Sequence, residues 1–523
     1  MQMMTSASVY PWVEAEHMWF RGFLYLDKAV LKGHQAIQYI KNRLISNSLD
    51  ELLPTLNGRF AFILTNEKGI FLVVDRVRSF PIYFTVLHDK LYVSDNVWSL
   101  YEANPNLSLC DKSLDDYKTN ELFVVGGYTL FEQVKQVRAS AYVSYDRASR
   151  ETKTFFYFRH DHDVYQCTTT SLYNDFKDTY NKIGDNLITA LNGRPAIVPL
   201  SGGLDSRMIV TLLKERDYNN VLCYTYGRKN NKEMNISREV AKKMGYKWIF
   251  IPYSRKEIRN LRKNEQFNSY LIWAGGASTP HIQDFLAVKR LIDENKIPEE
   301  AVFVPGHTGD LVSGGHIIDD ELALRSTNWE DCLPVLNKKF YKSRALSPNL
   351  LNRLQESYRD LFEGFSEPPS ALEWFNILER QAKFIVHSIR LYEFFGYEWL
   401  IPLWDNEIFE FWKTVPLPLR YRRRLYLEYT EDGIPSTSDE NFLTKIRHTI
   451  YRSSLLTSAA RYFSKPVKYF SSDLLLENFY SFPEYIRMCL KKDEYLTYHT
   501  LVHDWYLFIL QERMKESIEK QQA

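Results

Sequence analysis

Few ten-residue segments narrow the choice of fold as sharply as Val198-Pro199-Leu200-Ser201-Gly202-Gly203-Leu204-Asp205-Ser206-Arg207. The apolar run Ala196 to Leu200 reads as a short buried strand and Met208 to Arg216 as a helix, so two glycines and two hydroxyls fall between a strand end and a helix start. Open α/β sheets bind anions at that junction. Glycine has no Cβ, so backbone N–H groups can come close to phosphate oxygens, and the Ser201 and Ser206 hydroxyls add donors. The loop has no lysine and does not fit GxxxxGK[ST]; its glycine spacing does not fit GxGxxG. Asp205 is a negative charge in an anion-binding loop, and Mg²⁺ bridging it to a polyphosphate accounts for it. As structure alone, the same residues make a serine and glycine turn with an aspartate at a helix N-cap.

The rest of the chain is organised around this segment. Residues 1–160 carry short alternating runs, Arg59 to Leu64, Ile70 to Val74, Ile82 to Val86 and Lys90 to Val93, with Asn57-Gly58 and Lys68-Gly69 as turn signals. Antiparallel strands are expected there. The run Phe158-Arg159-His160-Asp161-His162-Asp163 reads as a solvated linker, with a metal site as the alternative. From Ser171 the period becomes helical, through Tyr173, Phe176, Tyr180, Ile183 and Leu187, and the strand, helix, strand, helix order that follows predicts a parallel sheet. The later elements are a strand from Val221 to Tyr226 and a helix from Ser237 to Met244. The expected boundaries are 1–160, 171–430 and a helical extension over 431–523. Among 523 residues, 66 Lys and Arg balance 65 Asp and Glu, which argues against nucleic acid as a partner. The five cysteines, Cys110, Cys167, Cys223, Cys332 and Cys489, form no Cys-x-x-Cys pair, and no apolar run approaches the ~18 residues of a spanning helix. The chain is expected in the cytoplasm, away from membranes.

Ser201 to Ser206 resembles the SGGxDS fingerprint of the ATP-pyrophosphatase, or PP-loop, proteins. A β-rich domain of about 160 residues placed before the loop is similar to the order of the asparagine synthetase family, glutaminase domain then synthetase domain. Further segments carry the same resemblance. Leu56 to Phe62, Val74-Asp75-Arg76 and Pro81-Ile82-Tyr83 are similar to glutaminase-fold motifs. Cys223 to Gly227, Ser278-Thr279-Pro280, Pro305 to His316 and Ile401 to Asp405 parallel synthetase motifs in the right order. The implied fold is an α+β glutaminase-like domain of antiparallel Ntn-type sheets, followed by an α/β PP-loop domain with a parallel sheet and a helical C-terminal part.

The resemblance also implies chemistry. The family adenylates a carboxylate with ATP, releases pyrophosphate, and forms an amide. Ser201, Gly202, Gly203 and Ser206 are the implied pyrophosphate cradle, Asp205 and Asp310 the implied Mg²⁺ ligands, and Pro199, Leu200, Tyr226, Pro305 and Gly306 the implied adenylate lining. His307 stands where the family has a glutamate near the activated substrate, and is either a neutral base or a hydrogen-bonded loop histidine. Arg424, in Leu419 to Tyr426, aligns with a family lysine; the cluster Arg420, Arg422, Arg423 and Arg424 is either a solvated face or a source of one phosphate ligand. The family's glutaminase nucleophile is a cysteine exposed by Met removal, whereas this chain begins Met1-Gln2-Met3-Met4, and Arg21 to Tyr25 departs from the family's N-G-E strand. The expectation is an inactive glutaminase domain kept as a scaffold. Nitrogen would then come from ammonia, a substrate amine or a separate glutaminase, and the chain could pair as a homodimer. The alternatives are an amide-forming enzyme similar to β-lactam synthetases or surface-polysaccharide amidotransferases, and an ATP-binding pseudoenzyme that regulates a partner.

Overall fold

The computed structural model describes residues 1–6, 8–162, 169–229, 232–341, 346–433 and 498–522. In the first part, an antiparallel sheet runs in the order Thr152–Phe156, Ala141–Tyr145, Gly69–Val74, Gly58–Asn66, Met18–Leu26 and Val13–Ala15, and Ala29–Lys32 also pairs with Met18–Leu26. A smaller sheet combines Gln2–Met4, Lys90–Ser94, Tyr83–Leu87 and Lys135–Gln136. Side chains alternate between the faces of a strand. Hence Ala61 and Ile63 point into the core shared by the two sheets, while Phe60, Phe62 and Leu64 pack with Ala36, Ile37 and Ile40 of the helix Gly33–Leu44 on the outer face.

The second part holds a five-stranded sheet in the order Lys247–Pro252, Val221–Gly227, Ala196–Pro199, Val302–Phe303 and Glu398–Trp399, parallel throughout. The chain starts in the middle at Ala196, builds two strands to one side, then crosses to add the other two. The strand order therefore reverses between Ala196–Pro199 and Val302–Phe303, and in such sheets the crevice beyond the carboxyl ends at the reversal is where ligands bind. The helix after the central strand is Leu204–Lys214, starting four residues before the expected Met208 because Gly203 already serves as its N-cap. The next helix spans Lys232–Met244.

The two parts share one core and a polar seam. Two segments far apart in sequence bond directly there. Arg59 donates to the Trp404 carbonyl, Asn57 Nδ2 donates to Asp405 Oδ1 at 2.9 Å, and Asn406 Nδ2 donates to the Leu56 carbonyl at 2.8 Å. Asp405 also accepts from Asn186 at 3.0 Å, which ties in the helix Thr169–Leu191. Deeper in the seam, buried Arg21 pairs with both Asp95 and Glu393.

The linker expectation is corrected here. His160 and His162 are each 1% exposed, with rings 4.7 Å apart, and His160 lies against Phe409. His162 Nδ1 is 2.7 Å from the Ser370 hydroxyl. Only Asp161 keeps a surface role, accepting from the Ser366 N–H at 3.1 Å. The path from the first part to the second runs beneath the helices Pro368–Asn376 and Asn406–Thr414, and imidazole survives burial there by staying neutral, since burial pushes both histidines well below their ordinary pKa. Asp163 and Thr168 lie outside the described residues. Of the expected extension, the helix Tyr498–Gln522 is described, and Tyr506 in it accepts from the Gly276 N–H at 2.6 Å.

Candidate active site

The loop after the central strand is shaped by its own hydroxyls. Ser206 Oγ accepts from the Ser201 N–H at 3.1 Å and lies 3.0 Å from Ser201 Oγ, while Ser201 Oγ accepts from the Gly203 N–H at 3.1 Å. Arg207 Nη2 donates to the Gly202 carbonyl at 2.9 Å and turns that oxygen toward the protein. The first turn of Leu204–Lys214 has no side-chain cap, so its backbone N–H groups face the crevice with the partial positive charge of a helix start.

A second loop meets the first from across the switch point. Val304 N–H donates to the Ile197 carbonyl at 2.9 Å, which carries Pro305 to Asp310 alongside Ser201 to Ser206. A Cβ on Gly306 would stand 2.6 Å from Ser206 N, and one on Gly309 would stand 2.9 Å from Asp205 Oδ1. Only glycines permit this approach, and it brings the two aspartates together: Asp310 N–H donates to Asp205 Oδ2 at 3.1 Å. Asp205 Oδ1 also accepts from Arg423 Nη2 at 2.8 Å and from the Tyr426 hydroxyl at 3.0 Å. Burial raises the Asp205 pKa and the neighbouring Asp310 charge adds to that, with Arg423 opposing. Asp310 moves the other way. Burial would raise it, but His316 and then Arg423 and Arg380 outweigh that and hold it low.

His316 is fixed in one tautomer by its neighbours. Gln381 Nε2 donates to Asn376 Oδ1 at 3.5 Å, so Asn376 Nδ2 donates to His316 Nδ1 at 2.9 Å, leaving the proton on Nε2 to reach Asp310 Oδ2 at 3.1 Å. His316 and Asn376 escaped sequence reasoning as site residues. His316 closes the Gly314-Gly315-His316 segment quoted for its resemblance, and that placement was the one available signal.

The arginine cluster divides. Arg420 is buried between Glu367 and Glu373; Arg422 points toward Asp319; Arg423 reaches Asp205 and also donates through Nε to Ser313 Oγ at 3.2 Å. Arg424 is the member that sequence alignment favoured. Its side chain is 62% exposed and pairs at 3.0 Å with Glu428 one turn along its own helix, away from the carboxylates. Two residues with positive φ, Arg422 at 58° and Arg423 at 62°, reverse the chain there, and the reversal swings Arg423 inward and Arg424 outward.

His307 sits beside this site with its Nδ1 enclosed and without a hydrogen-bond partner among the described residues. Burial, together with His281, pushes its pKa down to about 4, with Asp284 and Asp310 opposing. It is therefore neutral at pH 7. Tyr226 stacks on Tyr253 with ring centroids 5.2 Å apart; Pro199 and Leu200 stand at the end of the strand Ala196–Pro199, and Pro305 follows the end of Val302–Phe303.

Asp205 and Asp310 offer hard oxygen donors from two loops. Mg²⁺ in polyphosphate sites takes one or two carboxylates and fills its remaining positions with phosphate oxygens and water, so this donor pair fits that ion. Among the described residues no group of three or more His, Cys, Asp or Glu forms a protein-only metal cage.

The asparagine synthase family model matches residues 190–431, and the glutamine amidotransferase domain model matches residues 43–156. No curated protein matches the chain. Among solved structures, the NH3-dependent NAD synthetase from Campylobacter jejuni subsp. jejuni NCTC 11168 in complex with the nitrate ion aligns at 12% identity over 37% of this chain and 95% of that one, with a TM-score of 0.20.

Proposed function

The chain has the two-domain architecture of the asparagine synthetase family, and on that premise we propose that it is an ATP-dependent amide ligase that adenylates a carboxylate, releases pyrophosphate and passes the acyl group to nitrogen. The observation that carries the reading is the meeting of Asp205 and Asp310, 105 residues apart, beside the Ser201 to Ser206 loop at the switch point of the sheet. A carboxylate does not form an amide directly because its oxygen is a poor leaving group; transfer of AMP makes it a good one. Negative charge then builds on the departing pyrophosphate. The loop N–H groups, the two serine hydroxyls and Arg423 are aimed where that charge would grow, and preorganised donors of this kind supply the largest share of such catalysis. Mg²⁺, when bound, would be held by Asp205 and Asp310 and would supply further positive charge at the same place. Pro199, Leu200, Tyr226, Pro305 and Gly306 would line the adenylate.

In the second step a neutral amine attacks, and its nitrogen becomes strongly acidic as the bond forms. A neutral imidazole such as His307 can take that proton even with a pKa of about 4. The nitrogen source in this reading is ammonia or a substrate amine. The cysteine in the amidotransferase region, Cys110, is buried, with Arg353 Nη2 3.2 Å from its sulfur, and Cys223 and Cys332 are buried as well. Such thiols are poorly placed to attack glutamine. A neutral histidine at 307, where relatives carry an acid, favours an acceptor other than aspartate and so an amide-forming role in another biosynthetic route.

The test is pyrophosphate and AMP release from Mg·ATP with a panel of carboxylic acids, aspartate included, with ammonia, glutamine or no nitrogen donor. One acid is expected to drive release, with ammonia and not glutamine completing the amide. Turnover with glutamine, or ATP binding with no acid active, would overturn the respective parts.

A further inference from the structure

A guanidinium taken out of water needs a counter-charge, because it cannot escape the cost of burial by losing its proton as an imidazole can. Arg78 is buried without one. It lies in the loop that joins Gly69–Val74 of the larger sheet to Tyr83–Leu87 of the smaller, and it is 1% exposed. Its Nε and Nη2 are enclosed and meet no hydrogen-bond partner, and it forms no ion pair among the described residues. The described contact of its guanidinium is with an aromatic face, 5.3 Å from the centroid of the Tyr83 ring. Every other arginine buried to this degree among the described residues bonds to the chain: Arg21 to Asp95 and Glu393, Arg59 to the Trp404 carbonyl, Arg390 to Glu393, and Arg420 to Glu367 and Glu373.

The loop's own acid is no counter-charge. Asp75 accepts from the Phe60 N–H at 3.0 Å, the Val77 N–H at 2.9 Å and the Ser79 N–H at 3.2 Å, and its carbonyl accepts from the Arg78 N–H at 3.1 Å. This holds Arg78 at a φ of 56°. Other buried acids are taken as well, Asp95 and Glu393 by Arg21 and Glu379 by Lys383. The surrounding field is positive: the Arg78 charge adds to the burial that pushes Lys383 down to about 8 and Arg390 to about 9. Water would meet the N–H donors and leave the charge unmatched, whereas an anion answers both.

We propose that Arg78 is the cation of an interior anion site in the first part, which takes one small monovalent anion of the halide class. With so little of the side chain open to the surface, a nucleotide or a phosphate ester does not reach it. The anion ties the loop between the two sheets to its own interior, so binding is read as stability.

The full chain, exchanged into gluconate, is melted in gluconate and in chloride or bromide at equal ionic strength. A ligand that binds the folded chain raises its melting temperature, and halide should raise it by at least about 2 °C over gluconate. Arg78→Met replaces the unmatched charge with an apolar chain and should melt alike in both salts, while Arg359→Met, at an exposed ion pair with Glu330, should keep the wild-type difference. Crystals of the unsubstituted chain grown in bromide decide the matter if the methionine variant does not fold: an anomalous peak at hydrogen-bond distance from the guanidinium is expected. Water alone at Arg78 in those crystals, or a halide response that persists in Arg78→Met, would overturn the site.

Discussion

Arg423 and Arg424 are neighbours with the same side chain and opposite surroundings, one on Asp205 and the other out on Glu428. Alignment with a family lysine pointed to the second, because a motif match carries no information about which way a reversed backbone faces. Arg423→Met is expected to lower kcat/KM for pyrophosphate release by about 10²–10³-fold, the usual effect of removing one preorganised donor, while Arg424→Met should stay within about 2-fold. Equal effects of the two substitutions would show that the nucleotide-bound site uses a different arginine. Asp205→Asn and Asp310→Asn should each abolish release; activity retained in either would remove that residue from metal binding. The fate of His307 was half legible. Its expected place near the activated substrate came from the resemblance of Pro305 to His316 to a family motif, but its neutrality depends on burial and on His281, which only the folded chain brings near.

Between elements, the decisive contacts are backbone approaches. Gly306 lets one strand-end loop lie on the helix start of the other, and a Cβ there would meet backbone atoms of Asp205 and Ser206 that cannot yield cheaply. Gly306→Ala should therefore weaken ATP binding at least about 10-fold, measured by titration, while costing only about 1–3 kcal/mol in stability. Stability near wild type with unchanged affinity would mean that the loops part without loss. The turn carrying Arg423 is anchored by Arg420, whose guanidinium joins Glu367 and Glu373 near the buried His162. Burial raises Glu373 to about 7, and Arg420 opposes that shift. Arg420→Met leaves two carboxylates without their cation and should cost about 3–5 kcal/mol in chemical denaturation. A loss under 1 kcal/mol would show that the anchor is dispensable.

Across the whole molecule, neutral histidines lie in the second part and at the joint between the two parts. His281 and His307 are pushed down to about 4 and His387 to about 3, all chiefly by burial, and His160 and His162 also lie well below their ordinary value. Each has a folded pKa below its unfolded value near 6.5. The unfolded chain therefore binds more protons between about pH 6.5 and 4, and stability falls as pH drops through that window, by up to about 1.4 kcal/mol per pH unit for each histidine. The melting temperature should decline steeply from pH 7 to pH 5, and a flat profile would mean that these imidazoles are hydrated. The sequence alone determined the glycine and serine loop between strand and helix, the order of the two parts and the alternation of strands, because these are local properties: a loop's donors, a period of two, a period near 3.6. The tertiary structure decided which arginine meets Asp205, that His160 and His162 are interior rather than solvated, and that His316 meets Asp310. Those outcomes depend on segments far apart in the chain arriving at one point, where burial and charge act together and no local pattern records them.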